Sequence, residues 1–188
     1  MTAQRNAVVL LDNESSALPL ATETRIFVDG LDTSVAANYG TVVATPDEAD
    51  VVLLFLNTVF NGNQPAGTDR TLDQMMASRF PDTNLAFSEE ILAKAASYRD
   101  VSQLVTLVDL NRPAVLTELK GMSGALVGTF GVSDEAMLDV VFGKHNPVGK
   151  LPFELPSSMA EVEAQLEDVP DDTANPLFPH GWGLSYEE

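Results

Sequence analysis

After the apolar run Val51 to Leu56, the stretch GNQPAGTD spaces Gly62 and Gly67 as a phosphate-cradling loop would. Such a loop needs a Lys directly after its second Gly to reach the phosphates, and Thr68 stands there, so nucleotide binding does not follow. The run GMSGALVGTFG holds four glycines but leads into an apolar run instead of joining a strand to a helix. The dinucleotide fingerprint therefore fails, and these glycines suit turns and close strand packing. The opening VVLLDNE, an apolar run closed by acids, has the pattern of a phosphoacceptor domain with a Mg²⁺ site. The next segment, SSALPLATET, is too short and Pro-broken for a crossover helix, and VVLLFLN ends in Asn57 with no phosphorylatable Asp. With no Cys there is no thiolate nucleophile, thiolate metal site or disulfide. His145 and His180 are far apart in sequence and are read as structural or surface residues, so no metal and no cofactor are expected.

The elements that must position any chemistry are short apolar runs bounded by Gly, Asp and Asn: Ala7 to Leu11, Arg25 to Val28, Thr41 to Ala44, Val51 to Leu56, Leu104 to Leu110 and Ala125 to Phe130. Their β-branched, near-continuous hydrophobicity predicts strands buried on both faces, as in a parallel sheet under helices. Ser88 and Ser133 are predicted to cap helices, with Gly143 as the left-handed stop of the second. Ser158 opens a third through a capping box with Glu161, with Val162 and Leu166 on one face and Pro170 as its end. The fold class is α/β: a three-layer α/β/α sandwich with a mostly parallel, doubly wound, flavodoxin-like sheet. From Asn146 six prolines punctuate the chain, which predicts an edge strand at Leu151 to Leu155, a short helix and a surface tail over 146–188.

The 188 residues fit one domain, spanning 1–188. With 45% apolar and 20% charged residues and a mean hydropathy of +0.04, the chain can build a core. A net charge of -18, from 28 acids against 10 bases, argues against nucleic acid and anionic lipid as partners. The first residues lack a signal-peptide pattern and no run is long and apolar enough to span a bilayer, so a soluble chain is expected, with a lean toward the cytoplasm.

Three segments in order, RNAVVLLDNESSALPL, SDEAMLDVVFGKHNPVGKLPFELPSS and EDVPDDTANPLFPHGWGLSY, span nearly the whole chain. Together they resemble the C-terminal domain of family 3 glycoside hydrolases, of β-glucosidase and β-xylosidase type. The resemblance implies an α/β sandwich packed beside an N-terminal catalytic barrel that these residues do not include. It also implies that Pro147 and Gly149 turn the chain into the edge segment, and that Gly181 and Gly183 let Trp182 tuck against the sandwich.

Retaining hydrolysis needs two carboxyl groups about 5 to 5.5 Å apart, one nucleophile and one acid/base. In this family the nucleophilic Asp lies on the barrel, so the resemblance gives that role to no Asp here. Many members supply the acid/base from a loop of this second domain, as a Glu just before a Gly, one residue ahead of an Asp-Arg pair. The matching stretch is Pro65, Ala66, Gly67, Thr68, Asp69, Arg70, which puts Ala66 where that Glu would stand. Alanine transfers no proton, so no catalytic residue is assigned: the acid comes from elsewhere, from another loop, or the domain is not catalytic. Asp69 and Arg70 keep the pattern and are implied to shape the rim of a sugar site by bonding hydroxyls or bracing the loop, which is expected to be mobile over 57–84. Glu89 and Glu90, the nearest glutamates, are read as first-turn stabilisers. The implied partners are the barrel of the same enzyme and a β-glucoside or oligosaccharide substrate. The alternative is a non-catalytic carbohydrate-binding or protein-interaction module; a third reading is a fragment with its barrel-facing surface exposed.

Overall fold

The computed structural model describes residues 1–14, 16–58, 84–166 and 168–186. A short helix α1 (Thr2–Asn6) leads into β1 (Val9–Asp12), followed by β2 (Arg25–Asp29), α2 (Thr33–Ala36), β3 (Thr41–Val42) and β4 (Val51–Asn57). Then come α3 (Glu89–Arg99), β5 (Gln103–Asp109), α4 (Thr117–Met122), β6 (Ala125–Thr129) and α5 (Asp134–Val141). The chain finishes with β7 (Leu155–Pro156), α6 (Met159–Ala164) and β8 (Pro176–Phe178).

Six strands form one sheet in the order β1-β6-β5-β4-β2-β3, parallel throughout except for β1, which pairs antiparallel with β6. Neighbouring residues of a strand point to opposite faces, so a continuous apolar run feeds two cores at once. Val51 and Leu53 join Met137, Leu138, Val140 and Val141 of α5 and Ala36 of α2 on one face. Val52, Leu54 and Leu56 join Ala95 of α3 and Leu119 of α4 on the other. The result is the helix-flanked, three-layer sandwich that the apolar runs predict.

The helices begin where serines precede them. Ser88, Ser133 and Ser158 accept from the amides of Ile91, Ala136 and Glu161, closing the free first turns of α3, α5 and α6. Gly143, at φ +68, supplies the left-handed residue just past α5. The third helix is shorter than its sequence pattern. It stops at Ala164, because Gln165 turns to extended backbone and its amide side chain donates to Thr173 Oγ1 at 2.7 Å and Glu154 Oε1 at 3.3 Å. Leu166 then gives its N–H to Asp172 and stands 66% exposed, outside the helix, and Pro170 plays no part in ending it.

The tail also differs from the predicted edge strand. Pairing begins at Leu155, and β7 and β8 form a two-stranded ribbon of their own. The main sheet is met by Leu184, which bridges Leu10 of β1 and donates to its carbonyl at 2.8 Å. Pro152 fits this, since it removes a ladder donor inside the stretch where an added strand would need one. Trp182 does fold back: its indole N–H donates to Leu11 O at 2.8 Å and its ring lies 5.8 Å from that of Phe178.

Candidate site at the carboxyl ends of the strands

In an open parallel sheet, the backbone diverges past the carboxyl ends of the strands and leaves a crevice there, where ligands bind. In this chain that edge collects Asp29 from β2, Asn57 from β4, Asp109 from β5 and Thr129 from β6. Because β1 runs the other way, it is its start, Val9 opposite Gly128, that lies at the same edge.

Asp109 is 7% exposed and organises the centre. Its Oδ1 accepts from the Gly131 amide at 2.7 Å and from Thr129 Oγ1 at 3.3 Å, while Oδ2 accepts from Asn111 Nδ2 at 2.8 Å. One carboxylate thus fixes the turn after β5 and the turn after β6, by charge-assisted bonds stronger than neutral ones. Gly131 takes φ +64 to present its amide, a conformation that a side chain would strain. Beside it, Thr58 gives its N–H to Asp109 O at 3.1 Å. The buried Thr58 hydroxyl has no hydrogen-bond partner among the described residues.

Asp29 forms the second carboxylate of the edge. It pairs with Lys94 Nζ and accepts from Tyr98 OH at 2.8 Å, both from α3. Both acids are therefore held by donors: Asp109 braces the turns after β5 and β6, and Asp29 is tied to α3.

Tyr98 is pushed up to about 12 by burial and by its bond to Asp29. Burial, joined at Tyr39 by a bond to Asp139, raises Tyr39 and Tyr186 above the phenol range as well. The unfolded chain releases these protons near pH 10, the folded chain holds them longer, and stability that is complete below about pH 10 is lost as pH rises toward 12. Spectrophotometric titration should show no tyrosinate at pH 10 in the folded chain and ordinary ionisation in urea. Free ionisation of any tyrosine at pH 10 while the chain is folded would contradict the geometry.

The residues that the sequence points to are scattered. Ala66, Asp69 and Arg70, with the expected loop, lie outside the described residues. The described residues on either side of 59–83, Thr58 and Asn84, are both tied to the end of β5: Thr58 to Asp109 O, and Asn84 O to Arg112 Nη2 at 2.9 Å. Glu89 and Glu90 occupy the first turn of α3. His145 bonds Asn6 at 2.9 Å and His180 bonds Asp171 at 2.8 Å, each in its own surroundings. Sequence reasoning passed over Asp109 and Asp29, although an acid closing a buried apolar run, as in QLVTLVD and RIFVD, is a readable signal. A shallow groove of about 490 Å³ between α3 and α4, lined by Leu92, Ala93, Ala96, Glu118, Gly121 and Met122, belongs to the helical layer.

Residues 29–186 match the Glycosyl hydrolase family 3 C-terminal domain. Beta-glucosidase C of Emericella nidulans is 43% identical over 99% of this chain and 29% of its own length. The periplasmic beta-glucosidase/beta-xylosidase of Dickeya chrysanthemi is 37% identical over 97% of this chain and 27% of its own. The chain thus spans under a third of the length of these curated relatives. The crystal structure of beta-glucosidase from Listeria innocua in complex with glucose superposes on 100% of this chain and 33% of that one, with a TM-score of 0.75 at 20% identity, a likeness of fold. Among the described residues no helix is long and apolar enough to cross a membrane.

Proposed function

This chain belongs to the family 3 glycoside hydrolase C-terminal domains, and from that premise we propose that it is the supporting unit of a β-glucosidase-like enzyme. In this reading it frames the cleft for a β-linked glucoside or short oligosaccharide, while the nucleophile comes from a barrel unit of the same enzyme. One observation carries it. At the carboxyl edge, Asp109 is taken up in holding two turns and Asp29 in holding α3, which fits a structural rim better than a pair of reacting acids. Asp69 and Arg70 join that rim in the proposal, as hydroxyl-bonding residues of the segment that Thr58 and Asn84 anchor there. The relatives, of which this chain matches under a third, give the reaction class.

Ala66 favours a second reading, a carbohydrate-binding or protein-interaction module, because the proton donor of the family pattern is missing there. Two measurements separate the readings. The purified chain added to an aryl β-glucoside should release no product, and turnover abolished by a point change in this chain would overturn the supporting role. Titration with cellobiose or glucose while amide shifts are recorded should leave Asn57, Asn111 and Gly131 unmoved without a barrel. Saturable shifts there would establish the binding module instead.

A further inference from the structure

Helix α1 buries no side chain, yet three consecutive residues lace it to α5 and the turns at either end of that helix. Gln4 Oε1 accepts from Ser133 Oγ at 2.9 Å and from the Ser133 amide at 3.4 Å. Arg5 Nε donates to Asp139 Oδ2 at 2.6 Å, and Asn6 Oδ1 meets His145 Nε2 at 2.9 Å. Ser133 is at the same time the cap of α5 and lies two residues past Gly131, whose amide Asp109 holds. A continuous path of polar contacts and short backbone therefore runs from α1 through Ser133 and Gly131 to Asp109 at the centre of the rim.

We propose that Gln4 is a positioning residue for the carboxyl-edge site: α1 works as a polar strap that sets the turn after β6 from outside. The strap is held by hydrogen bonds and one ion pair, with no buried apolar contact, so it opens locally at a free energy below that of the whole sheet. Gln4 completes the hydrogen bonding of a cap residue whose hydroxyl already serves Ala136. Its loss leaves Ser133 with two donors to satisfy from water, and the turn that carries Gly131 loses its outer brace.

The idea goes beyond the sugar reading and its test needs no substrate, so either can fail without the other. Amide hydrogen exchange is measured on the full chain and on Gln4→Ala and Gln4→Glu, the latter keeping an acceptor oxygen. Gln4→Ala should speed exchange at Ser133 and Gly131 roughly tenfold, the order expected for losing the two exposed bonds to Ser133, while Val105 and Leu107 in β5 stay unchanged and Gln4→Glu stays near the parent. Unchanged exchange at Gly131 and Ser133 in Gln4→Ala would overturn the proposal. A rise throughout the sheet would overturn it equally, because α1 would then be part of the cooperative core. If Gln4→Ala does not fold, Asn6→Ala read at the same amides decides between the same outcomes, since it loosens the strap at its other end.

Discussion

Gly149→Ala should lower the melting temperature by about 6 to 12 °C, the equivalent of about 3 kcal/mol for a chain of this size. A Cβ there would sit 2.4 Å from Val8 O, 2.9 Å from Val8 C and 3.0 Å from Asn6 O. All three are backbone atoms leading into the edge strand β1, so nothing can rotate aside. Gly183→Ala should cost as much, since its Cβ would come 2.3 Å from Gly149 O. The two glycines let the tail lie backbone to backbone against the sheet, which is how Trp182 reaches Leu11 O. Gly121→Ala, with nothing within 4 Å of its Cβ, is the control and should leave the melt unchanged or slightly raised. Thermal unfolding followed by circular dichroism decides the matter: a Gly149→Ala melt within about 2 °C of the parent would mean that the tail stands off β1.

Arg5→Ala should cost about 3 kcal/mol of unfolding free energy, far above the yield of a surface ion pair. Asp139 is 4% exposed and sits among Ala136, Met137, Leu138, Val140 and Val141, with Arg5 and Tyr39 OH as its side-chain partners. Removing the guanidinium strands a buried carboxylate whose desolvation is then answered by one phenol. Because the Arg5 side chain is 30% exposed, water reaches part of the gap, and the lower end of the range for broken buried pairs applies. Asp139→Asn in the Arg5→Ala background should restore most of the loss, since an amide keeps an acceptor for Tyr39 without a charge to solvate. Urea denaturation of the four chains closes the cycle. A cost under about 0.5 kcal/mol for Arg5→Ala would show that the pair behaves as an exposed one.

Six strands, three serine caps and the stop at Gly143 were all readable because each depends on residues close in sequence: apolar runs that cannot face water, hydroxyls three residues ahead of a free amide, a residue that takes positive φ without strain. The family resemblance was readable for a similar reason, since its motifs are local strings. Glycine roles were only half readable. Gly149 reads as a turn residue beside Pro147, whereas it is not among the positive-φ glycines and its work, like that of Gly183 under Trp182, is to permit close approach of distant backbone. Likewise Leu166 looked like one face of a helix until the side chain of Gln165 turned to Glu154 and Thr173.

What this sequence determined by itself is the list of layers and the family, because burial pattern and local capping act over a few residues. Only the tertiary structure decided the direction of β1, for an apolar run buried on both faces carries no arrow. It alone also joined Arg5 to Asp139 across 134 positions, and set Asp109 as the knot between two turns. Those contacts form between groups that no local rule brings together: the chain must first close its sheet, and a carboxylate then takes whichever donors the packing leaves beside it.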